Sequence, residues 1–184
     1  LIMSPGSHGY RTTRDAILAL SVRRPEFAHL INPRQSSATH ARLSPLTWPV
    51  AAGTAGILPG DPVEDRKIRV VTADGVADTS LNEVRGNGFA VVGFGLDEAG
   101  GAALAAATRK LGEALSPENV RALNVDSTAV DGVVPLVAED LAEAMGAGAG
   151  EAFVIRPDGL LLCRVAVGEL SAVAESIRRG VAPE

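Results

Sequence analysis

The sequence predicts an α/β domain: a central mixed sheet flanked by helices, preceded by a helical segment and an extended connector. Three observations carry that expectation. An apolar run, Phe89–Phe94, is followed by a helical pattern from about Glu98 to Leu115 and by a second apolar run, Val120–Val125. A strand–helix–strand of this length implies a parallel pair with a right-handed crossover. Later, Phe153-Val-Ile-Arg-Pro-Asp-Gly-Leu-Leu-Leu-Cys-Arg164 reads as two apolar strands joined by a Pro157-Asp158-Gly159 turn. One amphipathic helix then closes the chain.

Each element follows from local pattern. Residues 4–10 read as loop. A first helix is expected from Thr12 or Thr13, as N-cap, to about Val22, with Ala16, Ile17 and Leu20 at helical spacing. Pro25 suits the first turn of a short helix, Pro25–Leu30, and Asn32-Pro33 ends it because the residue before proline disfavours the helical region. Residues 33–62 carry five prolines among Ser, Thr and Gly with no period, which predicts an extended connector and a boundary near Pro59–Pro62. Lys67–Thr72 and Val76–Leu81 flank Ala73-Asp74-Gly75 as a hairpin. Phe89–Phe94 is apolar throughout, as a strand buried on both faces must be. Pro135–Met145 is expected as a shorter helix, with Leu136, Val137, Leu141 and Met145 aligned and Glu139, Asp140 and Glu143 opposite, ended by Gly146, Gly148 and Gly150. Glu169–Arg179 is the closing helix, with Leu170, Val173, Ala174 and Ile177 on its core face. Arg178, Arg179 and Gly180 suit its C-terminal end.

This order is that of a thioredoxin-like domain. The place where such a domain keeps its redox cysteines, after Phe89–Phe94, reads Gly95-Leu96-Asp97-Glu98. Carboxylates at a helix start are favourable dipole partners, not nucleophiles. The stretch where thioredoxins place a cis-proline reads Gly148-Ala-Gly-Glu-Ala152. Shape and chemistry therefore part company.

Composition excludes several classes. The chain has 184 residues, 46% apolar, with a net charge of −5 and only 3% aromatics, against a nucleic-acid reader with its basic, aromatic face. Residues 1–50 carry a net charge of +4 and the remainder −9, as two parts with different surroundings would. No apolar run approaches the ~18 residues of a membrane span, and no signal segment opens the chain. With one cysteine, Cys163, no intrachain disulfide forms, which fits a cytoplasmic protein. The chain opens at Leu1 with its first Met at position 3, and is read as a fragment of something longer.

Candidate chemistry is sparse. Cys163 lies in an expected strand about 65 residues beyond the helix start that activates thiols, and reads as a buried, inert core residue. His8, His29 and His40 make no metal-ligand spacing. Glu64/Asp65 and Glu139/Asp140 read as solvated faces, so no general acid or base is nominated. Gly86-Asn-Gly88 and Gly93-Phe-Gly95 complete no phosphate-binding motif, and Asp97 and Glu98 would repel a phosphate. No catalytic, cofactor-binding or metal residue is assigned. The segment Arg23–Ser37, rich in Arg, reads either as a polar connector or as a contact strip for an acidic neighbour.

Four pieces nevertheless carry a family likeness: Tyr10-Arg-Thr-Thr-Arg-Asp-Ala-Ile-Leu-Ala-Leu20; Asn32-Pro-Arg-Gln-Ser-Ser37 with Ser44-Pro-Leu46; Leu58-Pro-Gly-Asp-Pro62 with Arg69-Val-Val and Asp74-Gly75; and Phe153-Val-Ile-Arg-Pro-Asp-Gly159 with Arg164. In order and spacing they resemble the C-terminal end of the FAD-dependent aromatic-ring hydroxylases, of the phenol hydroxylase and 3-(3-hydroxyphenyl)propionate hydroxylase type. The resemblance implies that residues 1–32 are the helical end of the flavin portion, 33–62 a connector, and 63–184 a thioredoxin-like domain without redox cysteines. FAD and NAD(P)H belong to the parent protein, with no cofactor in this part. The implied partners are the upstream flavin-binding domains and a second copy; the implied role is packing and dimerisation, without catalysis. A free-standing thioredoxin-fold binding module is the alternative, and a single-cysteine thiol oxidoreductase acting through Cys163 a further one. Cut from its domain, the first helix would expose Ile17 and Leu20 and favour self-association.

Overall fold

The computed structural model describes residues 7–23, 40–44, 47–51, 53–115, 120–125, 130–138 and 140–179. The chain divides into two compact units, Leu1–Thr39 and His40–Glu184. The expected short helix Pro25–Leu30 lies outside the described residues.

In the first unit, helix α1 (His8–Arg23) begins a turn earlier than the pattern suggests. The Ser7 hydroxyl accepts the Tyr10 N–H at 3.3 Å, so Ser7 caps the start and Thr12 lies inside the helix, its hydroxyl donating to the His8 carbonyl.

The second unit is built on one seven-stranded mixed sheet in the order β2-β1-β5-β4-β3-β6-β7. Strands β1 (Lys67–Thr72) and β2 (Gly75–Ser80) form the expected hairpin. A short helix α2 (Leu81–Arg85) follows, with a capping box between Ser80 and Glu83. Strand β3 (Phe89–Phe94), helix α3 (Glu98–Leu115) and strand β4 (Val120–Val125) occupy the expected positions, and β3 and β4 pair in parallel from Phe89↔Val120 to Phe94↔Val125.

The helix expected over Pro135–Met145 is not one element. Residues Val133–Val137 form strand β5, and only Leu141–Met145 is helical, as α4. The run Val-Val-Pro-Leu-Val pairs in parallel with β4 on one side and antiparallel with β1 on the other, which buries Val133 and Leu136 toward opposite faces. Pairing of a β-branched run on both edges outweighs the helical spacing of Leu136, Leu141 and Met145. Asp140 stands at the N-terminus of α4, and Gly146 ends it in the left-handed region.

Strands β6 (Glu151–Ile155) and β7 (Leu161–Ala166) form the second hairpin across the Pro157-Asp158-Gly159 turn. Val154 pairs with Cys163 but Ile155 pairs with Leu161, so β7 carries one extra residue at Leu162, a β-bulge. A 3₁₀ turn, Val167–Glu169, leads into the closing helix α5 (Leu170–Arg179).

Alternation along the strands divides the core into two layers. One holds Val91, Ala122, Ala152, Val154 and Cys163 under α3 and α5, with Trp48 packed against it. The other holds Leu123, Phe153, Ile155, Leu161, Leu141 and Met145, with Ile57 and Val63 against it.

The sequence reading puts the start of the folded domain near Pro59–Pro62. The compact unit starts at His40, because the described stretch before β1 is bonded to the sheet. Ala41 N–H donates to the Gly60 carbonyl, Trp48 N–H to Leu162, Gly60 N–H to Leu161, and Val63 N–H to Gly159. Leu161 N–H returns a bond to the Asp61 carbonyl, so this strap runs along part of the β7 edge like a short extra strand. Gly60 has φ +89°, and a Cβ there would lie 2.5 Å from the Ala41–Arg42 backbone; only glycine lets the strap cross itself so closely. Among the described residues no helix is long and apolar enough to cross a membrane.

Candidate functional site

Two places deserve the name of candidate: the start of α3, where this kind of α/β order keeps reactive groups, and the corner where strap, β6 and β7 meet.

At the first, β3 hands over to α3 through Gly95, at φ +57°, and the buried Leu96. Asp97 closes the helix: its Oδ1 accepts the Gly100 N–H at 2.8 Å and its carbonyl accepts the Gly101 N–H at 2.8 Å. The facing segment is occupied by backbone pairing, since Gly150 N–H donates to Phe94 and Val167 N–H donates to Gly150. A capped helix start with a carboxylate in place of a thiol offers no thiol nucleophile. It does not fit a flavin diphosphate either, because Asp97 and Glu98 oppose negative charge there. Beneath it lies Asn124 on β4, 1% exposed, whose side-chain amide has no partner on either atom.

Cys163 sits on β7 with none of its surface exposed. Burial pushes its thiol up to about 12, against a weak opposing bond from the Val154 backbone. A thiol so placed is almost never a thiolate near neutral pH, as its strand position suggested.

The histidines and carboxylate pairs are not assembled. His8 is on α1, His40 opens the second unit, and His29 lies outside the described residues. Glu64 pairs with Arg66 at 3.0 Å, and Asp65 accepts the Asn82 N–H at 2.9 Å in the first turn of α2. Asp140 reaches Arg66 at 3.4 Å, and Glu139 lies outside the described residues. No group of three or more potential metal ligands occurs among the described residues. Gly86 is the C-cap of α2, not part of a phosphate loop.

The polar investment is at the corner. Arg164 projects from β7 into the layer opposite Cys163, its side chain 7% exposed. Its Nη1 donates to the Ala55 carbonyl, and its Nη2 donates to the Gly146 carbonyl at 2.9 Å and to Glu151 Oε2 at 2.7 Å. The guanidinium also lies 4.9 Å from the Phe153 ring centroid. One side chain thus joins strap, α4 end and β6. Glu151 adds the Gly148 N–H at 2.7 Å. Within the strap, Asp61 receives both Nε and Nη2 of Arg42, the latter at 2.9 Å, and the Leu58 N–H at 2.9 Å. The Arg42 guanidinium holds the Asp61 carboxyl below the usual carboxylate range, over the opposing effect of partial burial, with the Leu58 N–H adding to it.

Around the turn, Arg85 of α2 donates to the Arg156 carbonyl at 2.8 Å and the Pro157 carbonyl at 3.2 Å, and Arg156 pairs with Asp158 at 2.6 Å. Residues that look like a motif in the sequence are therefore brought together, but as fastenings. Arg42, Arg85 and Glu151 were missed by the sequence reading. Their partners are backbone carbonyls or residues far along the chain, and only spacing near Arg164 hinted at the arrangement.

No family model matches the chain, and no curated relative does. Solved structures do. The ternary complex of aklavinone-11 hydroxylase with FAD and aklavinone superposes with a TM-score of 0.56 at 19% identity, covering 90% of this chain and 34% of that one. AhpC of Mycobacterium bovis gives a TM-score of 0.52 at 14% identity over 70% of this chain and 97% of its own. The fold is thioredoxin-like. AhpC of Mycobacterium tuberculosis agrees, with a TM-score of 0.51 at 16% identity over 68% of this chain and 96% of that one. The chain spans about a third of the length of the hydroxylase it matches. At these identities the likeness is one of fold.

Proposed function

We propose that this chain is the C-terminal part of an FAD-dependent aromatic-ring hydroxylase, and that its own role is structural. On this reading residues 1–32 end the flavin portion, residues 33–62 connect, and the thioredoxin-like domain packs on the flavin domains and supports dimerisation in the cytoplasm. FAD and NAD(P)H act in the parent, where reduced flavin activates oxygen to hydroxylate a phenolic or similar ring. The observation that carries the reading is the correspondence of 90% of this chain with one third of a single FAD-binding hydroxylase. Two features of the domain support it. The capped start of α3 and the buried Cys163 leave thiol chemistry without a nucleophile. Backbone bonds from Trp48, Gly60 and Val63 fasten the described part of the stretch before β1 to β7 and its turn, as a segment that carries no chemistry of its own would be.

On this reading the residues of this chain perform no step of that reaction and serve to hold the domains together. Reading the coding sequence upstream of Leu1 tests the proposal. An in-frame extension containing a strand-linked G-x-G-x-x-G is the expected result. A start codon close by, with no flavin-binding sequence, overturns it in favour of a free-standing binding module.

A further inference from the structure

The two ends of the sheet are finished differently. At β7 the strap takes part of the edge: Gly60 N–H donates to the Leu161 carbonyl, and Leu161 N–H to that of Asp61. At the other end, nothing among the described residues pairs with the outer side of β2. Beyond Val70, where β1 leaves β5, the β1–β2 hairpin is carried by its own ladder alone. Val71 and Val76 stand directly opposite each other there, 41% and 59% exposed. A two-stranded hairpin with apolar side chains in water is marginal, and an edge strand free of Pro and Lys, as Gly75–Ser80 is, invites a further strand. Which groups face outward is fixed at the end of the strand. Leu81 N–H donates inward, to the Arg66 carbonyl at 2.9 Å, and Ser80 N–H is taken by Glu83 Oε2 at 3.2 Å. Antiparallel ladders alternate, so Val76 and Asp78 are the residues of β2 that present both N–H and carbonyl outward.

We infer that the free edge of β2 is an interface with a second copy of this chain, the two β2 strands pairing antiparallel about a two-fold axis at Ala77. Charge selects this register. An axis at Asp78 opposes two carboxylates directly, and an axis at Val76 sets Asp74 of each copy against Asp78 of the other. With the axis at Ala77, each Asp78 faces Val76 of the other copy. Asp74 then falls opposite Ser80, which Lys67 faces across its own ladder. Each Val76–Asp78 pairing exchanges both N–H···O bonds, because both residues present these groups outward. Since the strap occupies part of the β7 edge, β2 of one copy does not add to β7 of another, and association closes as a pair instead of growing. Dimerisation, as proposed above, thereby gains a surface, and the inference rests on that reading; upstream coding sequence tests the parent, and disulfide linkage tests the surface.

Ala77→Cys is the first probe. Across the axis its two thiols lie in a non-hydrogen-bonded pair, where Cα atoms ~4.5 Å apart suit a disulfide. The native Cys163 is buried and does not compete. In an oxidising glutathione buffer the full Ala77→Cys chain is expected to link into a dimer at least about tenfold faster than Asp74→Cys, whose thiol lies in the same exposed hairpin but off the axis. Equal rates would mean random collision and overturn the interface. Sedimentation of the unaltered chain should show a dimer that Ala77→Lys, by opposing two ammonium groups on the axis, reduces at least about fivefold. A dimer that persists in Ala77→Lys runs through another surface, and an unaltered chain that stays monomeric at millimolar concentration has no interface; either result removes the inference. Should a variant fail to fold, amide exchange in the unaltered chain decides: exchange at Val76 and Asp78 that slows as concentration rises supports the edge, and exchange independent of concentration overturns it.

Discussion

The start of α3 and the corner at Arg164 are both places where a strand ends against a loop, yet they are built from opposite materials. At α3 the turn is sealed by backbone bonds, an apolar Leu96 and one capping carboxylate. At the corner a buried guanidinium ties strap, α4 end and β6 together, and the self-crossing strap carries a second ion pair of its own. The start of α3 is filled by packing, while buried polar groups fasten the described stretch before β1 to the sheet. A motif of charged residues can thus report attachment as readily as catalysis. What separates the two is where the hydrogen bonds end: here they end on carbonyls and carboxylates of the chain itself.

That contrast can be broken or sharpened, and the largest effect lies with Cys163. With its thiol raised to about 12, labelling of the folded chain by a disulfide reagent at pH 8 is expected to run about a thousandfold slower than in urea, where the pKa returns to ~8.5. A fast native reaction would restore the thiol reading. Next comes Arg164→Ala. It strands Glu151 and two carbonyls that the guanidinium now serves, and should lower the unfolding free energy by about 3 kcal/mol in urea titrations. A loss under about 1 kcal/mol would make the corner a surface feature.

Smaller, and of opposite sign, is Asn124→Leu. Removing a buried amide that has no partner should raise stability by about 1 kcal/mol, seen as a higher urea midpoint; a fall would mean that the amide is bonded in solution. Smallest is Asp61→Asn, whose signature is pH. Because the folded pKa of Asp61 is depressed, its contribution is complete above the unfolded value of ~3.9 and is lost as pH falls through the folded value. The gap in urea midpoint between the native chain and Asp61→Asn should therefore be full at pH 6 and close on acidification. A gap that does not change with pH would detach the effect from the Arg42 pair.

Much of the fold was legible because strands buried on both faces and an 18-residue amphipathic helix leave unambiguous periods: β3, α3 and β4 lie where their patterns end. The region of β5 and α4 was not. Leu136, Leu141 and Met145 satisfy a helical stripe, and only residues 126–132 separate β4 from β5, fewer than the dozen or so a helical crossover between parallel strands needs. Local pattern cannot register that β1, from far upstream, supplies the second edge for β5. The strap was illegible for a similar reason. Proline-rich and without period, it gains its order from β7, about a hundred residues later. Of the corner, Arg164 and the Pro157-Asp158-Gly159 turn stood out in the sequence. Its carbonyl acceptors could not, since any residue provides a carbonyl.

The bulge at Leu162 has a consequence for how the hairpin finds its pairing. Without the extra residue, Leu161 would share a face with Cys163; with it, Leu161 enters one core layer and Cys163 the other. Beyond the bulge, Arg164 and Cys163 alternate strictly. A slip of β7 by one position would drive a guanidinium beneath α3 and α5, among side chains that offer it no acceptor, and leave a thiol facing Glu151 and the waiting carbonyls. Neighbouring registers of the hairpin are thus separated from the native one by the cost of an unpaired buried charge. The same arginine that fastens three segments also proofreads the strand on which it is carried.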